Sequence, residues 1–495
     1  MSSNSKTEKI LVTGATGYIG GRLIPKLLEI GADIRVLARD ATRLESRNWI
    51  DRVEIFEADV FDPKRLGDAM EGISRAYYFI HSMNAHSDAF DERDIVAAKN
   101  FGKAAKEKGV KQIIYLGGLG DPRDQLSEHL RSRHNTGHEL AKYGVPVTEL
   151  RAAIIVGSGS VSFEMIRYLT ERLPLMICPK WVFTRVQPIG IADVINYLIS
   201  SLTQKAAEGK IIEIGGQDVM TYGQMMEVYA EVRGLRRFLI PVPVLSPRLS
   251  SYWVHWFSPI PASITRPLVE GLKNEVVVRD SSADEIFPDI HPSNYKQAVK
   301  AALNSMETGV MESRWSDALS SSAKDRNPVI LANFEGMIIE RRTVESRASS
   351  DRLFDIVSGL GGDKGWLFFN WAWKLRGAID RALGGVGLRR GRRNPYELRP
   401  GDALDFWRVE KIDQGVRLLL RAEMKVPGLA WLQFEANQKE NNLAQLVQTA
   451  YFAPKGLLGF LYWYGLYPLH SLIFSGMARN IVRQAENLYD LPPKT

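Results

Sequence analysis

The segment Ile10-Leu-Val-Thr-Gly14-Ala-Thr-Gly17-Tyr-Ile-Gly20-Gly21 sets three glycines three residues apart, between an apolar run and a helical run carrying Leu23, Ile24, Leu27 and Leu28. A strand that turns on glycine into a helix leaves the first N–H groups of that helix bare. A diphosphate can reach them because no side chain blocks its approach. The spacing therefore predicts a dinucleotide cradle formed by Gly14, Thr16, Gly17, Tyr18, Ile19 and Gly20. Pro25 falls inside the predicted helix, where the loss of one N–H should bend it.

From Ile10 to about Ser200, short β-branched runs alternate with amphipathic stretches, the pattern of parallel strands joined by crossover helices. Strands are read at Ile10 to Thr13, Ile34 to Ala38, Val53 to Glu57, Ala76 to His81, Gln112 to Gly117 and Val147 to Val156, with a short one at Ile211 to Ile214. The fold class is α/β, a Rossmann-like doubly wound parallel sheet, and such sheets bind ligands at their carboxyl edge. At the tip of the second strand, Arg39 can pair with a 2′-phosphate, which favours NADP(H); the adjacent Asp40 keeps NAD(H) open. After the third strand, Asp59 and Val60 are placed to meet the edge and face of an adenine, unless Asp59 caps a helix instead. His81 and Ser82, ending the fourth strand, are placed beside a cofactor ribose.

These motifs, together with Gln187-Pro-Ile-Gly-Ile-Ala-Asp193-Val, resemble the atypical, extended short-chain dehydrogenases/reductases over about Lys9 to Val310. NmrA-like and YbjT-like proteins and the nucleotide-binding accessory subunit of respiratory complex I are the relatives they look like. The resemblance implies a Ser ending the fifth strand and a Tyr and Lys four residues apart on the next helix, the Tyr exchanging a proton with substrate. Here Gly117 and Gly118 stand where the Ser would be. With Glu139 setting the register, Arg131 and Asn135 fall in the Tyr and Lys positions. If the register slips, His134 and His138, one turn apart, become acid or base candidates. His81 is a further candidate general acid, by location.

Three functions stay open. The chain is an NAD(P)H-dependent oxidoreductase acting on an apolar substrate such as a quinone; or a non-catalytic dinucleotide sensor or structural protein with a cavity for a hydrophobic ligand; or a sugar-nucleotide epimerase or dehydratase, against which the missing Tyr and Lys count heavily.

With 495 residues, 45% of them hydrophobic, the chain is long enough for two or three cores. Residues 1–320 form the dinucleotide domain, with 216–310 as its substrate side. A Pro-punctuated stretch from Pro241 to Pro267, bearing Tyr252, Trp253, Trp256 and Phe257, is expected to pack over the cleft. Ser320 to Pro328 is Ser-rich and reads as a linker. Residues 328–495 read as α+β: an isolated strand at Gly336 to Ser346, helices at Arg352 to Leu360 and Trp366 to Leu383, strands at Leu404 to Ile412, Val416 to Met424, Ala430 to Asn437 and Leu443 to Phe452, then a long helix.

From about Val329 to Leu488 the chain resembles START-like (SRPBCC) domains, and Gly361-Gly-Asp-Lys-Gly365-Trp, Gly387-Leu-Arg-Arg-Gly-Arg-Arg393 and Asp405-Phe-Trp-Arg-Val look like the companion domain of unknown function found behind YbjT-like domains. The resemblance implies a helix-grip fold whose last helix lines an apolar cavity with Leu457, Phe460, Tyr464, Leu469 and Ile473. Gly456 to Met477 carries no Asp, Glu, Lys or Arg, so membrane-surface association or a span is the competing reading. Arg389, Arg390, Arg392 and Arg393 form a basic loop, either solvated or able to clamp a phosphate, and Arg376 and Asp380 are spaced as a surface pair.

The balance of 64 Lys and Arg against 57 Asp and Glu does not imply a nucleic-acid partner. A single cysteine, Cys178, excludes an intramolecular disulfide and is expected to be a small buried hydrophobe. No His/Asp/Glu cluster has metal-ligand spacing, so no metal is expected. The first residues show no export signal, and a cytoplasmic location is the expectation, with membrane association through 456–477 as the competing reading.

Overall fold

The computed structural model describes residues 8–44, 47–81, 90–242, 270–307, 329–334, 336–383, 386–387, 398–439 and 443–487. The chain divides into two compact units, 1–323 and 324–495.

In the first unit, β1 (Lys9–Thr13), β2 (Asp33–Ala38), β3 (Glu54–Glu57), β4 (Ile73–Tyr78), β5 (Gln112–Gly118), β6 (Val147–Ala152) and β7 (Ile211–Ile214) form one parallel sheet, in the order β3-β2-β1-β4-β5-β6-β7. Leu11 and Val12 are both fully buried although they point to opposite faces, as expected of a strand covered by helices on both sides. The chain winds outward from β1 to β3 and then returns to pair β4 beside β1. That reversal opens a crevice at the carboxyl ends of β1 and β4, and the first glycine loop leads out of β1 directly into it.

Helix α1 (Tyr18–Glu29) follows the loop and continues through Pro25. Helix α2 (Pro63–Ala69) is capped by Asp62, whose Oδ1 accepts from the N–H groups of Lys64 and Arg65. The helix-cap alternative for Asp59 therefore falls to Asp62 instead. Helices α3 (Phe90–Glu107) and α4 (Glu128–Ala141) flank β5 in sequence. The predicted fourth strand starts three residues earlier and stops at Tyr78, leaving His81 in the loop beyond it. The long strand predicted at Val147 to Val156 breaks after Ala152, and Ile155–Val156 pairs instead with Ile189–Gly190. Cys178 is buried, as expected. Asp193 is a structural anchor: its Oδ2 accepts from the backbone N–H and Oγ of Ser293.

In the second unit, β8 (Val329–Phe334), β9 (Met337–Ser346), β10 (Ala403–Leu404), β11 (Trp407–Asp413), β12 (Arg417–Ala422), β13 (Gly428–Gln438) and β14 (Ala444–Pro454) form an antiparallel sheet in the order β8-β9-β14-β13-β12-β11-β10. The strand expected to be isolated, β9, pairs on both sides, with β8 and β14. Three further expectations need correction. The strand predicted from Leu404 divides at Asp405, whose φ of +56° no extended strand can hold. The helix predicted from Trp366 begins only at Asn370, since Leu367 and Phe369 have φ of +62° and +47°. Asp380 is not a surface partner of Arg376: it is fully buried, and accepts from the N–H groups of Gly387 and Lys425.

Helices α5 (Ser350–Ser358), α6 (Asn370–Ala382) and α7 (Gly456–Asn487) complete this unit. Phe460, Trp463, Ile473 and Phe474 of α7 are buried, and the Trp463 ring stacks on Phe452 of β14 at 5.3 Å. Leu457, Tyr464 and Leu469, expected to line a cavity with Phe460 and Ile473, lie instead on the exposed side of the helix. The reason is that α7 is apolar on every face from Gly456 to Met477, so this part of its sequence gives no period to tell which side meets the sheet. Arg389, Arg390, Arg392 and Arg393, the aromatic stretch from Tyr252 to Phe257, and Ser82 lie outside the described residues.

Candidate functional site

A cavity of about 610 Å³ opens at the carboxyl edge of the parallel sheet. Its floor is the glycine loop. Gly14 has φ of +66°, and a Cβ there would lie 2.6 Å from the carbonyl oxygen of Phe79; a Cβ on Gly20 would lie 2.5 Å from the carbonyl oxygen of Gly14. Side chains are thus excluded at both positions by backbone, and the loop closes on itself through the Gly17 N–H to Gly14 carbonyl bond of 2.9 Å. Gly17 starts α1 with no side-chain cap and no acidic residue in the first turn, so the helix N-terminus faces the cavity uncapped and without opposing negative charge. Gly14, Thr16, Gly17, Tyr18 and Ile19 line the cavity; Gly20 lies behind them, permitting the tight turn. This is a cradle that a diphosphate fits.

At one end of the cavity, Arg39, Asp40, Arg43, Asp59 and Val60 converge from the ends of β2 and β3. Arg39 is exposed and has no hydrogen bond or ion pair among the described residues, so its guanidinium is available to an anion. Arg43 stands beside it and was not anticipated from sequence. Asp59 is held in a turn by accepting from the N–H of Phe61 at 3.0 Å. The carbonyl of Val60 is tied to Asn100 Nδ2 at 3.0 Å.

At the other end stand His81, His129 and Arg133. Asp94 of α3 is 1% exposed, and its carboxylate accepts a hydrogen bond from His81 Nδ1 at 2.7 Å. This fixes the imidazole with its proton on Nδ1, leaving Nε2 buried and without a hydrogen-bond partner among the described residues. Burial holds His81 below the ordinary histidine range, outweighing the attraction of Asp94. The His129 ring lies 5.1 Å from that of His81, and burial pushes its pKa down to about 3.

The residues expected at the Tyr and Lys positions are not at the cavity wall. Arg131 is exposed on α4; His134 turns its Nε2 to the carbonyl oxygen of Gly118 at 3.0 Å; neither these nor Asn135 line the cavity. His129 and Arg133, also four apart, face it instead. Gly117 and Gly118 do line the cavity, and Gly117 has a reason for lacking a side chain. A Cβ on Gly117 would lie 2.8 Å from Glu149 Oε1, and one on Gly137 would also overlap that carboxylate. Glu149 is 3% exposed and paired with Arg151 at 2.7 Å, so the two glycines make room for a buried ion pair. Asp94 was missed altogether, because Asp91-Glu92-Arg93-Asp94 reads as a solvated helix start. The remaining wall is mostly apolar, with Leu119, Leu130, Ile154, Val161, Leu272 and Val276 beside Ser160 and Ser162. Among the described residues no group of His, Cys, Asp and Glu could hold a metal ion.

Residues 14–153 match a family model described as NAD(P)H-binding, and residues 337–477 match one described as a protein of unknown function (DUF2867). Sterol demethylase protein B of Methylococcus capsulatus is 23% identical over 266 residues, covering 48% of this chain and 78% of that protein. The mitochondrial NADH dehydrogenase [ubiquinone] 1 alpha subcomplex subunit 9 of Arabidopsis thaliana is 23% identical over 47% of this chain; the chain spans 60% of its length. Among solved structures, the Citrobacter sp. triphenylmethane reductase complexed with NADP(H) superposes with a TM-score of 0.49 at 23% identity, covering 59% of this chain and 99% of its own.

Proposed function

We propose that this chain, whose N-terminal unit carries an NAD(P)-binding Rossmann-like domain, is an NAD(P)H-dependent oxidoreductase acting on an apolar substrate, with His81 handling the proton that a Tyr/Lys pair would otherwise handle. The observation that carries the reading is His81 at the cavity wall, its ring oriented by Asp94 and its buried Nε2 without a hydrogen-bond partner among the described residues. The dinucleotide, when bound, supplies or accepts a hydride at a substrate carbon. In the reductive direction the His81 imidazolium gives its Nε2 proton to the substrate oxygen and is recharged from water. In the oxidative direction neutral His81 takes the proton of a substrate hydroxyl. Either way the Asp94 carboxylate supports the positive ring, the role a buried carboxylate plays beside a catalytic histidine. Arg133 adds positive charge where an oxyanion would develop.

The exposed Arg39 favours NADP(H) over NAD(H), since a guanidinium meets a phosphate with two parallel hydrogen bonds. The apolar wall supports a quinone or a polycyclic substrate, and the similarity to a protein named for sterol demethylation agrees with that chemistry. Stopped-flow oxidation of NADPH against a panel of quinones and polycyclic ketones tests the proposal. Turnover abolished by His81→Ala is the expected result; tight NADPH binding with no turnover on any of them leaves the sensing role.

For the second unit, a START-like ligand-holding role is the further reading. It is favoured by α7 packing along the sheet and by Gln448, 2% exposed with both side-chain polar atoms unpartnered among the described residues. Mass spectrometry of small molecules released from the purified chain tests it. Recovery of an apolar compound with a polar group supports the reading, and a protein free of one counts against it.

A further inference from the structure

The first half of α7 has two unlike sides. One side packs inward through Phe460, Trp463, Ile473 and Phe474. The other exposes Leu457, Leu458, Leu461, Tyr464, Leu469 and Leu472, with Leu458 at 72% exposure, and no charged residue interrupts it between Gly456 and Met477. From Leu457 to Leu472 this face runs about 22 Å at the rise of an α-helix. A second exposed row, Trp371, Leu375 and Ile379, follows four-residue spacing along α6 of the same unit. Isolated exposed leucines need no explanation, but two helix faces of this composition mark a surface that something covers.

Charge identifies what covers it. Residues 324–495 carry 25 Lys and Arg against 18 Asp and Glu, so the whole excess of +7 in the chain sits in this unit and residues 1–323 are balanced. Exposed cations bracket the apolar run of α7, Lys455 before it and Arg479 and Arg483 after it, and Lys374 and Arg381 are exposed on α6. Long basic side chains at the ends of an apolar face can bury their stems while their charges reach headgroup phosphates. Two copies of a unit with this excess would repel, whereas an anionic surface attracts it, by about 1 kcal/mol per cation near the bilayer.

We infer that residues 324–495 dock on the surface of an anionic lipid bilayer through the exposed face of α7, with α6 as a second contact. The helix lies along the membrane and does not cross it, because its other side is committed to the sheet: Trp463 stacks on Phe452, and Ser471 Oγ accepts from Arg342 at 3.0 Å. Surrounding the helix with lipid would break both contacts. The inference is independent of whether the dinucleotide site turns substrate over.

The test is co-sedimentation of the full chain with sucrose-loaded vesicles of pure phosphatidylcholine, and of phosphatidylcholine containing a third phosphatidylglycerol, at low and high salt. Binding at least tenfold tighter to the anionic vesicles, weakening as salt rises, is expected. Leu458→Glu with Leu461→Glu should reduce it at least tenfold while leaving NADPH affinity and thermal unfolding unchanged. Lys455→Glu with Arg479→Glu should remove the preference for anionic lipid. Three outcomes overturn the inference: no sedimentation with either vesicle, binding undiminished in the leucine double variant, or a dimer that the leucine double variant converts to monomer without vesicle binding. Resistance of the vesicle-bound chain to carbonate extraction would equally overturn surface docking in favour of a span.

Discussion

The carboxylate of Asp94 and Nδ1 of His81 lie 2.7 Å apart, across 13 residues of chain, and this one contact decides which nitrogen of the neutral imidazole carries the proton. Asp94→Asn keeps the shape but allows the ring to take its other tautomer, with Nε2 protonated and neutral. We expect this variant to lose about 10²–10⁴-fold in kcat, the range of a general acid–base contribution. NADPH affinity, read by fluorescence titration, should stay within a few-fold. Reductive turnover needs the imidazolium, so its rate should fall as pH rises through the His81 pKa, which burial places below 6.5. Oxidative turnover should rise through the same midpoint. In Asp94→Asn the midpoint moves further down, because the group that favours the charged ring is gone. A profile with its midpoint unmoved would remove Asp94 from the proton path.

His129 bears on stability. Its pKa falls from 6.5 in the unfolded chain to about 3 in the folded one, through burial. Between those values the unfolded chain takes up a proton that the folded chain refuses, so the folded state loses stability as pH falls from 6.5 toward 3. His129→Gln removes this contribution. Denaturant midpoints measured from pH 7 to pH 4 should therefore decline less steeply in the variant than in the parent, whatever the offset at pH 7. Parallel slopes would show that the imidazole is not held neutral.

What could be read in advance, and what could not, divides along a physical line. The cradle from Gly14 to Gly20 and the tip residue Arg39 were legible because the groups that act together are adjacent in sequence and their types are dictated by backbone approach and charge. The register of α4 was not. Glu139 served as the landmark, yet its carboxylate is engaged with Lys142 and Tyr143, away from the cavity-facing His129 and Arg133. Asp94 was invisible for a related reason: a carboxylate in an acidic run looks solvated until the fold buries it. The Glu149–Arg151 pair explains after the fact why glycine stands at 117, a dependence across 32 positions that no local pattern carries.

Arg39 makes a prediction that separates cofactor choice from catalysis. Arg39→Ala removes an exposed guanidinium that has no partner to strand among the described residues, so folding should be untouched. NADPH affinity should fall about tenfold or more, corresponding to roughly 1.4 kcal/mol or more, while NADH affinity changes less than twofold. Titration of both dinucleotides against the variant measures the ratio. An equal loss for both would place Arg39 on the adenine and not on a 2′-phosphate.

In the second unit, the loop from Gly361 and the turn at Asp405 are locked together: Trp366, 1% exposed, donates its indole N–H to Asp405 Oδ2 at 2.8 Å and packs against Phe406 and Trp407. Asp405 holds φ of +56°, a conformation that costs an ordinary side chain about 1–3 kcal/mol and persists only where neighbours enforce it. Asp405→Ala leaves the indole N–H buried without an acceptor and should destabilise by about 1–3 kcal/mol. Asp405→Asn keeps an acceptor oxygen and should recover at least half of that loss. Asp405→Gly relieves the backbone but not the orphaned donor, and should fall between the two. Hydrogen exchange of the strand Trp407–Asp413 in the full chain would rank the three variants, and Asp405→Ala protected as well as the parent would show that the indole bond contributes nothing net.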